Sequence, residues 1–224
     1  MLHKTKGIVL HFIRYSDTSI IAKIYTEAFG LQSYIINGVR SKSAKNKIAL
    51  FQPLTLLDLV VYHKENSTLQ RISEMRCAEP YQSIPFEVYK SSIALFTAEI
   101  LQKTLKEEVS NNLLFEFLYH SLHALDQLTP STAKNFHVLF LIRYAAYLGF
   151  YPTELDELWK TSAIPNASVQ KYLQDATDKN YFQEVEGTNI IRREALQLLL
   201  SYYSTHMDNF GEVNSYKILQ EILS

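Results

Sequence analysis

One change of rhythm constrains this chain more than any other feature. Up to Arg76 apolar residues alternate with polar ones or form short β-branched runs. After Pro85 they recur about every 3.6 positions, the period of a helix. Strands first and helices second predict an α+β fold with the two kinds of element segregated. The change falls in AEPYQSIP, residues 78–85, which has two prolines, no periodicity, and the look of a linker. The expected division is a β domain over residues 1–78 and a helical domain over 79–224.

The strand-like segments are Gly7–Arg14, Ser19–Glu27, Leu31–Val39, Pro53–His63 and Thr68–Cys77. In the second, Ile20, Ala22 and Ile24 share one face and Ile21, Lys23 and Tyr25 the other. Ser16-Asp17 and Phe29-Gly30 mark turns. Five short strands predict a small closed barrel. The OB-fold is a five-stranded barrel that commonly binds oligonucleotides. An SH3-like barrel has a similar strand count, and spacing alone leaves both open.

Past the linker, Ser83 is a candidate N-cap, and Phe86, Tyr89, Ile93, Phe96, Ile100 and Leu105 form one apolar stripe. Leu114, Phe117, Leu118, Leu122 and Leu125 mark a second helix. A third starts at Thr129-Pro130 and is stopped by Gly149 and Pro152. Thr153–Trp159, Arg192–Met207 and Ser215–Leu223 complete the helices, and residues 161–189 show no clear pattern.

The net charge of −1 conceals an asymmetry. Through Arg76 there are 11 Lys and Arg against 5 Asp and Glu, a net +6; the remainder has 11 against 18, a net −7. A basic segment joined to an acidic one points to a polyanionic partner for the first. The segment GVRSKSAKNKIAL carries Arg40, Lys42, Lys45 and Lys47 with no acid, separated by small polar residues that let a phosphate approach. Lys6, Arg14, Lys23 and Arg71 add charge on the strands. Phe12, Tyr15, Tyr25 and Tyr34 either stack on bases or fill the barrel; the second is the expectation for Phe12 and Tyr34.

Signatures of catalysis are missing. There is no Gly-rich phosphate loop in a chain with 6 glycines, no nucleophile elbow and no His-Glu-x-x-His. His120 and His123 at i, i+3 lack a third ligand, and Glu107-Glu108 and Asp156-Glu157 point in different directions on a helix. Cys77 stands alone, which excludes an internal disulfide and a Cys-rich zinc site. No run of about 18 apolar residues occurs, and the N-terminus lacks the cleavage site of a signal peptide. These features predict a cytoplasmic, non-enzymatic protein without metal or cofactor.

The run TKGIVLHFIRYSDTSIIAKIYTEAFGLQSYIINGVRSKSAKN resembles the N-terminal barrel of the RecO family of bacterial DNA repair and recombination mediators. The matching residues are Gly7-Ile8-Val9-Leu10, Tyr15-Ser16-Asp17-Thr18-Ser19, Tyr25-Thr26, Phe29-Gly30, Gly38-Val39-Arg40-Ser41-Lys42 and Phe51-Gln52-Pro53-Leu54. Tyr147–Pro152 is similar to the family's Leu-Gly-Tyr segment, and Asn214–Leu219 to its terminal-helix motif. The resemblance implies an OB-fold followed by an α-helical domain. It also implies binding to single- and double-stranded DNA, annealing of complementary strands, and contact with RecR and the tail of SSB. Together these help load RecA onto coated single strands.

By motif, Arg40 and Lys42 are the best DNA contacts, with Lys45 and Lys47 beside them; Lys6, Arg14 and Arg71 join them by charge and strand position. An acidic SSB-type tail needs an apolar groove with a cation at its rim, and Arg143 in the third helix is the candidate. Many members bind structural zinc through two Cys-x-x-Cys pairs after the Leu-Gly-Tyr segment. Here FYPTELDELWKTSAIPNASV has no cysteine, so zinc is not expected. Residues 161–189 then depend on packing around Trp159, Tyr172, Leu173, Tyr181 and Phe182. The competing reading is a protein adaptor whose barrel is a docking module without a DNA role.

Overall fold

Alternating β-branched residues form the first five elements, and periodic Leu, Phe and Tyr the rest. The computed structural model describes residues 1–39, 47–65, 67–106, 108–160 and 162–222. Strands β1 (Leu2–Arg14), β2 (Ile20–Thr26), β3 (Gly30–Ile36), β4 (Leu56–Tyr62) and β5 (Gln70–Cys77) come first. Helices α1 (Val88–Thr104), α2 (Asn112–Gln127), α3 (Pro130–Ala133), α4 (Phe136–Tyr147), α5 (Ala167–Asp178), α6 (Asn189–His206) and α7 (Ser215–Ile222) follow. They divide into two compact units: Met1–Tyr81 with Ala98–Leu122, and Gln82–Thr97 with His123–Ser224.

In the first unit the strands close a barrel in the order β1-β2-β3-β5-β4, with β4 returning to β1. Every pairing is antiparallel except β3 with β5, where Tyr34 faces Gln70 and Ile35 faces Arg71 in parallel. This order with its one parallel seam is the OB-fold, which resolves the choice the strand count left open. β1 begins at Leu2, earlier than its alternation suggests, because it serves two neighbours. Residues 2–8 pair with β4 and 7–14 with β2. A register shift between Val9 and His11 lets the strand bend from one to the other. A 3-10 turn over Ile48–Phe51 buries Phe51 completely, so β4 starts at Leu56 rather than Pro53.

The barrel core gathers Val9, Ile20, Ala22, Ile24, Tyr34, Phe51, Leu57, Leu59 and Val61, with Phe12 packed against it. Phe12 and Tyr34 therefore fill the barrel, as expected. Tyr25 points outward yet is buried, stacked on Phe115 with ring centroids 6.2 Å apart. Gln102 donates to the Leu10 carbonyl at 3.1 Å, so residues 98–122 cover this side of the wall. The β2–β3 turn is tied by Thr26, whose hydroxyl donates to the Gly30 carbonyl and accepts from the Phe29 N–H. Gly30 sits there at φ +62, which only glycine takes without strain.

In the second unit Thr129 and Pro130 start a helix as the sequence suggests, but it breaks after Ala133. Asn135 occupies the break. Its amide donates to the Val185 carbonyl and its oxygen accepts from the Tyr172 hydroxyl. Gly149 ends α4 at φ +85. Ser83 is not the cap of α1, which starts five residues later at Val88. Its N–H and hydroxyl instead donate to Asp126.

The unpatterned stretch contains α5, capped by Asn166, whose side chain accepts from the Val169 N–H at 3.1 Å. Tyr172 and Leu173 are buried and Tyr181 stacks on Phe136 at 4.8 Å, but Phe182 is 58% exposed and adds nothing to this packing.

Candidate nucleic-acid interface

Strand parity decides which side chains leave the barrel, and register aligns them. On β4 the buried Leu57, Leu59 and Val61 force Asp58, Val60 and Tyr62 outward. Tyr62 faces Arg71 on β5, Arg71 faces Ile35 on β3, Ile35 faces Ile21 on β2, and Ile21 faces Ile13 on β1. The result is one outward row across the barrel wall: Tyr62, Arg71, Ile35, Ile21, Ile13. Ile13 is 56% and Tyr62 46% exposed. A neighbouring row holds His11, Lys23 and Ser33. Burial and then the nearby Lys23 charge lower the His11 pKa, so Lys23 is the cation of that row at neutral pH.

Loops frame both ends of the long row. At the Ile13 end, Arg14 and Tyr15 are exposed and the turn that follows is closed by Tyr15 N–H to the Ser19 carbonyl. The buried Ser19 hydroxyl donates to Asn37 at 3.0 Å, tying this turn to the segment after β3. At the Tyr62 end, Gln70 is buried and organises the β4–β5 loop. Its amide donates to the carbonyls of Lys64 and Ser67, both at 2.8 Å, and its oxygen accepts from the Lys64 N–H at 3.0 Å. Lys64 and Ser67 are thereby tied to the start of β5.

The structure brings some of the anticipated cations together and separates others. Arg14 and Arg71 lie toward opposite ends of the row, both exposed. Lys47 is exposed immediately before the 3-10 turn. Arg40, Lys42 and Lys45 lie outside the described residues. Lys6 is elsewhere. It faces Asp58, four residues along β4 from Tyr62, with its ammonium 4.6 Å from the Tyr119 ring centre. It lines a cavity of about 580 Å³ that mixes Lys4 and Arg76 with Glu27, Asp58 and Glu74. Arg76 engages Asp58 through two nitrogens, at 3.0 and 2.8 Å.

In the second unit Arg143 donates to the carbonyls of Leu139 and of Lys179, the residue capping α5, and lies 5.3 Å from the Tyr181 ring.

Sequence reasoning missed Tyr62, Lys64, Ile13 and Ile35. Counting parity back from Val61 would have turned Tyr62 outward. Parity set Ile21 on the face opposite Ile20, Ala22 and Ile24, but that Ile13 and Ile35 share its row depends on pairing and is not legible in the sequence. Chemically, the row joins flat apolar surface to positive ends. That suits a polyanion carrying flat bases. Among the described residues no group of three His, Cys, Asp or Glu side chains is placed to hold a metal ion, and His120 lies 3.1 Å from Glu116. Nor is any helix long and apolar enough to cross a membrane among those residues.

Comparison with known proteins identifies the family. Residues 1–81 match the family described as Recombination protein O N terminal, and residues 86–169 match Recombination protein O C terminal. The chain is 36% identical over 239 residues to a DNA repair protein RecO of Flavobacterium psychrophilum, covering 99% of each. It is 35% identical over 243 residues to the protein of that name from Bacteroides fragilis, again covering 99% of each. It is 34% identical over 242 residues to that of Phocaeicola vulgatus, covering 100% of both.

Proposed function

The chain belongs to the RecO family of DNA repair proteins, and from that premise we propose that it is a non-enzymatic recombination mediator acting on single- and double-stranded DNA. It anneals complementary strands and, with RecR, helps load RecA onto SSB-coated single strands in the cytoplasm. The observation that carries the reading is the outward row of Tyr62, Arg71, Ile35, Ile21 and Ile13, on a segment of net charge +6.

Cations neutralise phosphates and release counterions, which gives affinity with little sequence preference. Lowering the charge of two strands on one basic surface also reduces their mutual repulsion, the electrostatic requirement for annealing. Arg40, Lys42, Lys45, Lys47, Arg14 and Arg71 are the proposed DNA contacts by charge and motif, and Lys6 contributes less, because its groove is charge-balanced.

The test is binding of a fluorescent single-stranded oligonucleotide across a salt series, with annealing followed on adding the complement. Neutralising Arg40, Lys42, Lys45 and Lys47 together weakens binding and flattens its salt dependence, by about 0.7 in log–log slope for each phosphate that is no longer neutralised. Binding of this variant equal to wild type at low salt removes the segment from the interface.

In the helical unit Arg143 is proposed to meet the acidic tail of SSB. Its contacts with two backbone carbonyls equally support a role in holding α5. Titration with a tail peptide decides: equal affinity for wild type and Arg143→Ala leaves only the structural role.

The exposed Ile13 and the half-buried Ile21 and Ile35 beside it favour one second reading, a protein adaptor whose barrel docks an apolar partner surface. An adaptor shows no salt-dependent affinity for oligonucleotides.

A further inference from the structure

A cavity of about 650 Å³ opens beside the β4–β5 loop, lined by Tyr62, Lys64, Ser67, Leu69, Gln70 and Arg71. Its size falls in the range of small-molecule sites. Among the described residues the lining contains two cations and no acid. Tyr62 presents its ring at one end of the outward row, directly across from Arg71. The floor is Gln70, 2% exposed, whose three hydrogen bonds fix the loop backbone. The Ser67 hydroxyl donates to the Leu69 carbonyl at 2.8 Å and the Ser67 N–H to that of Lys64 at 3.1 Å, which tightens the same turn. An aromatic ring, two cations and a pre-set wall therefore meet in one concavity.

We propose that this cavity is a nucleotide pocket for a single strand. One base stacks on Tyr62, and Lys64 and Arg71 hold the phosphates on either side of it. The proposal rests on the reading of the barrel as a DNA-binding module and adds where a base is gripped and in which form of DNA. A base inside a duplex is already stacked and reaches the pocket only by leaving its partner. A base in a single strand reaches it freely, and every base offers a π-face, so the grip is indifferent to sequence. Within the pocket's own share of the affinity, Lys64 and Arg71 supply a salt-dependent part and Tyr62 a salt-independent one.

The test compares the intact wild-type chain with Tyr62→Ala, Tyr62→Phe and Lys64→Ala/Arg71→Ala, using labelled oligo(dT) and a labelled duplex of equal length. Because Tyr62 is an exposed strand-end side chain, its truncation leaves the barrel core untouched. Tyr62→Ala is expected to weaken oligo(dT) binding by about 5- to 100-fold without changing the salt slope, and to leave the duplex unaffected. Tyr62→Phe restores the affinity. The double cation variant lowers the single-strand slope by about 1.4.

If wild type binds oligo(dT) and Tyr62→Ala binds it equally well, the pocket is wrong while the DNA-binding reading stands. Equal weakening toward oligo(dT) and duplex also overturns it. If wild type binds neither probe in a salt-dependent way, the functional reading falls, and the pocket with it.

Discussion

His137 is the most heavily perturbed imidazole described in the chain. It is completely buried in the helical unit, neither ring nitrogen has a hydrogen-bond partner among the described residues, and its neighbours include Phe96 and the buried Arg192. Burial, and then the Arg192 charge, lower its pKa from 6.5 to about 3. Between those values the unfolded chain holds a proton that the folded one refuses. Stability is therefore fully present above about pH 6.5 and is lost as the pH falls toward 3, by up to about 1.4 kcal/mol per unit. The urea midpoint of wild type should drop steeply between pH 6.5 and 4.5. His137→Leu should flatten that slope and hold or raise stability at pH 7, since it removes two unsatisfied polar atoms. A midpoint as pH-dependent in the variant as in wild type would assign the effect elsewhere.

Asp126 makes the opposite use of a polar side chain. Its carboxylate accepts from the N–H groups of Gln82, Ser83 and Ile84 at 2.8–2.9 Å. Burial opposes its charge, but these donors and the Ser83 hydroxyl outweigh it and hold the carboxyl below its usual pKa. Lys90, itself buried, donates to the Asp126 carbonyl at 3.0 Å and to the Ser83 hydroxyl at 2.7 Å. Asp126→Ala strips three backbone donors of their acceptor and should cost about 2–3 kcal/mol in equilibrium denaturation at neutral pH, with Asp126→Asn milder. Neither residue announces this in the sequence. A buried histidine reads like a surface one, and an acid at the end of an amphipathic helix reads as solvated.

Among the elements, the strands were legible in number and order, but their limits were not. Alternation gave Ile20, Ala22 and Ile24 their inward face, and it missed residues 2–6 of β1, which mix Lys and Thr with little apolar signal. Those residues are strand because β4 pairs with them, a long-range cause. The third helix read as continuous because no Gly or Pro follows Pro130 before Gly149, and at the break Asn135 is held by two partners distant in sequence. On the candidate surface the cations were legible as composition, whereas the row from Tyr62 to Ile13 appears only once register is known.

Gly7 shows the same limit. It is part of the family signature, and the structure gives the reason. It lies where β1 is shared between β2 and β4, and a Cβ there would meet Ile24 Cγ2 at 2.7 Å and Leu59 Cδ1 at 2.9 Å. Gly7→Ala should cost about 1–3 kcal/mol by overpacking, read as a lowered Tm of the intact protein. An unchanged Tm would mean that the two side chains move aside freely.

At the scale of the molecule, the first unit is not one continuous stretch of chain. Residues 98–122 belong with the barrel, and they supply Phe115 to Tyr25, Gln102 to Leu10 and Tyr119 to Lys6. A fragment ending at Tyr81 contains every strand yet uncovers that part of the wall. It should melt below the intact protein and bind a hydrophobic dye such as ANS, whereas the full chain should not. A fragment as stable and dye-silent as the whole would make residues 98–122 dispensable to the barrel.

The seam between β3 and β5 has a consequence for the order in which this protein is made. β5 is the last strand to leave the ribosome, and it alone fills the gap between β3 and β4. A nascent chain that has released Tyr62 but not Cys77 carries two bare strand edges at once, each a template for pairing with a neighbouring chain. When β5 emerges it covers both, parallel on one side and antiparallel on the other, so one segment ends the exposure of two. A pause in synthesis while the emerged chain ends within residues 63–77 would therefore hold both edges bare, and a pause after β5 has emerged would not.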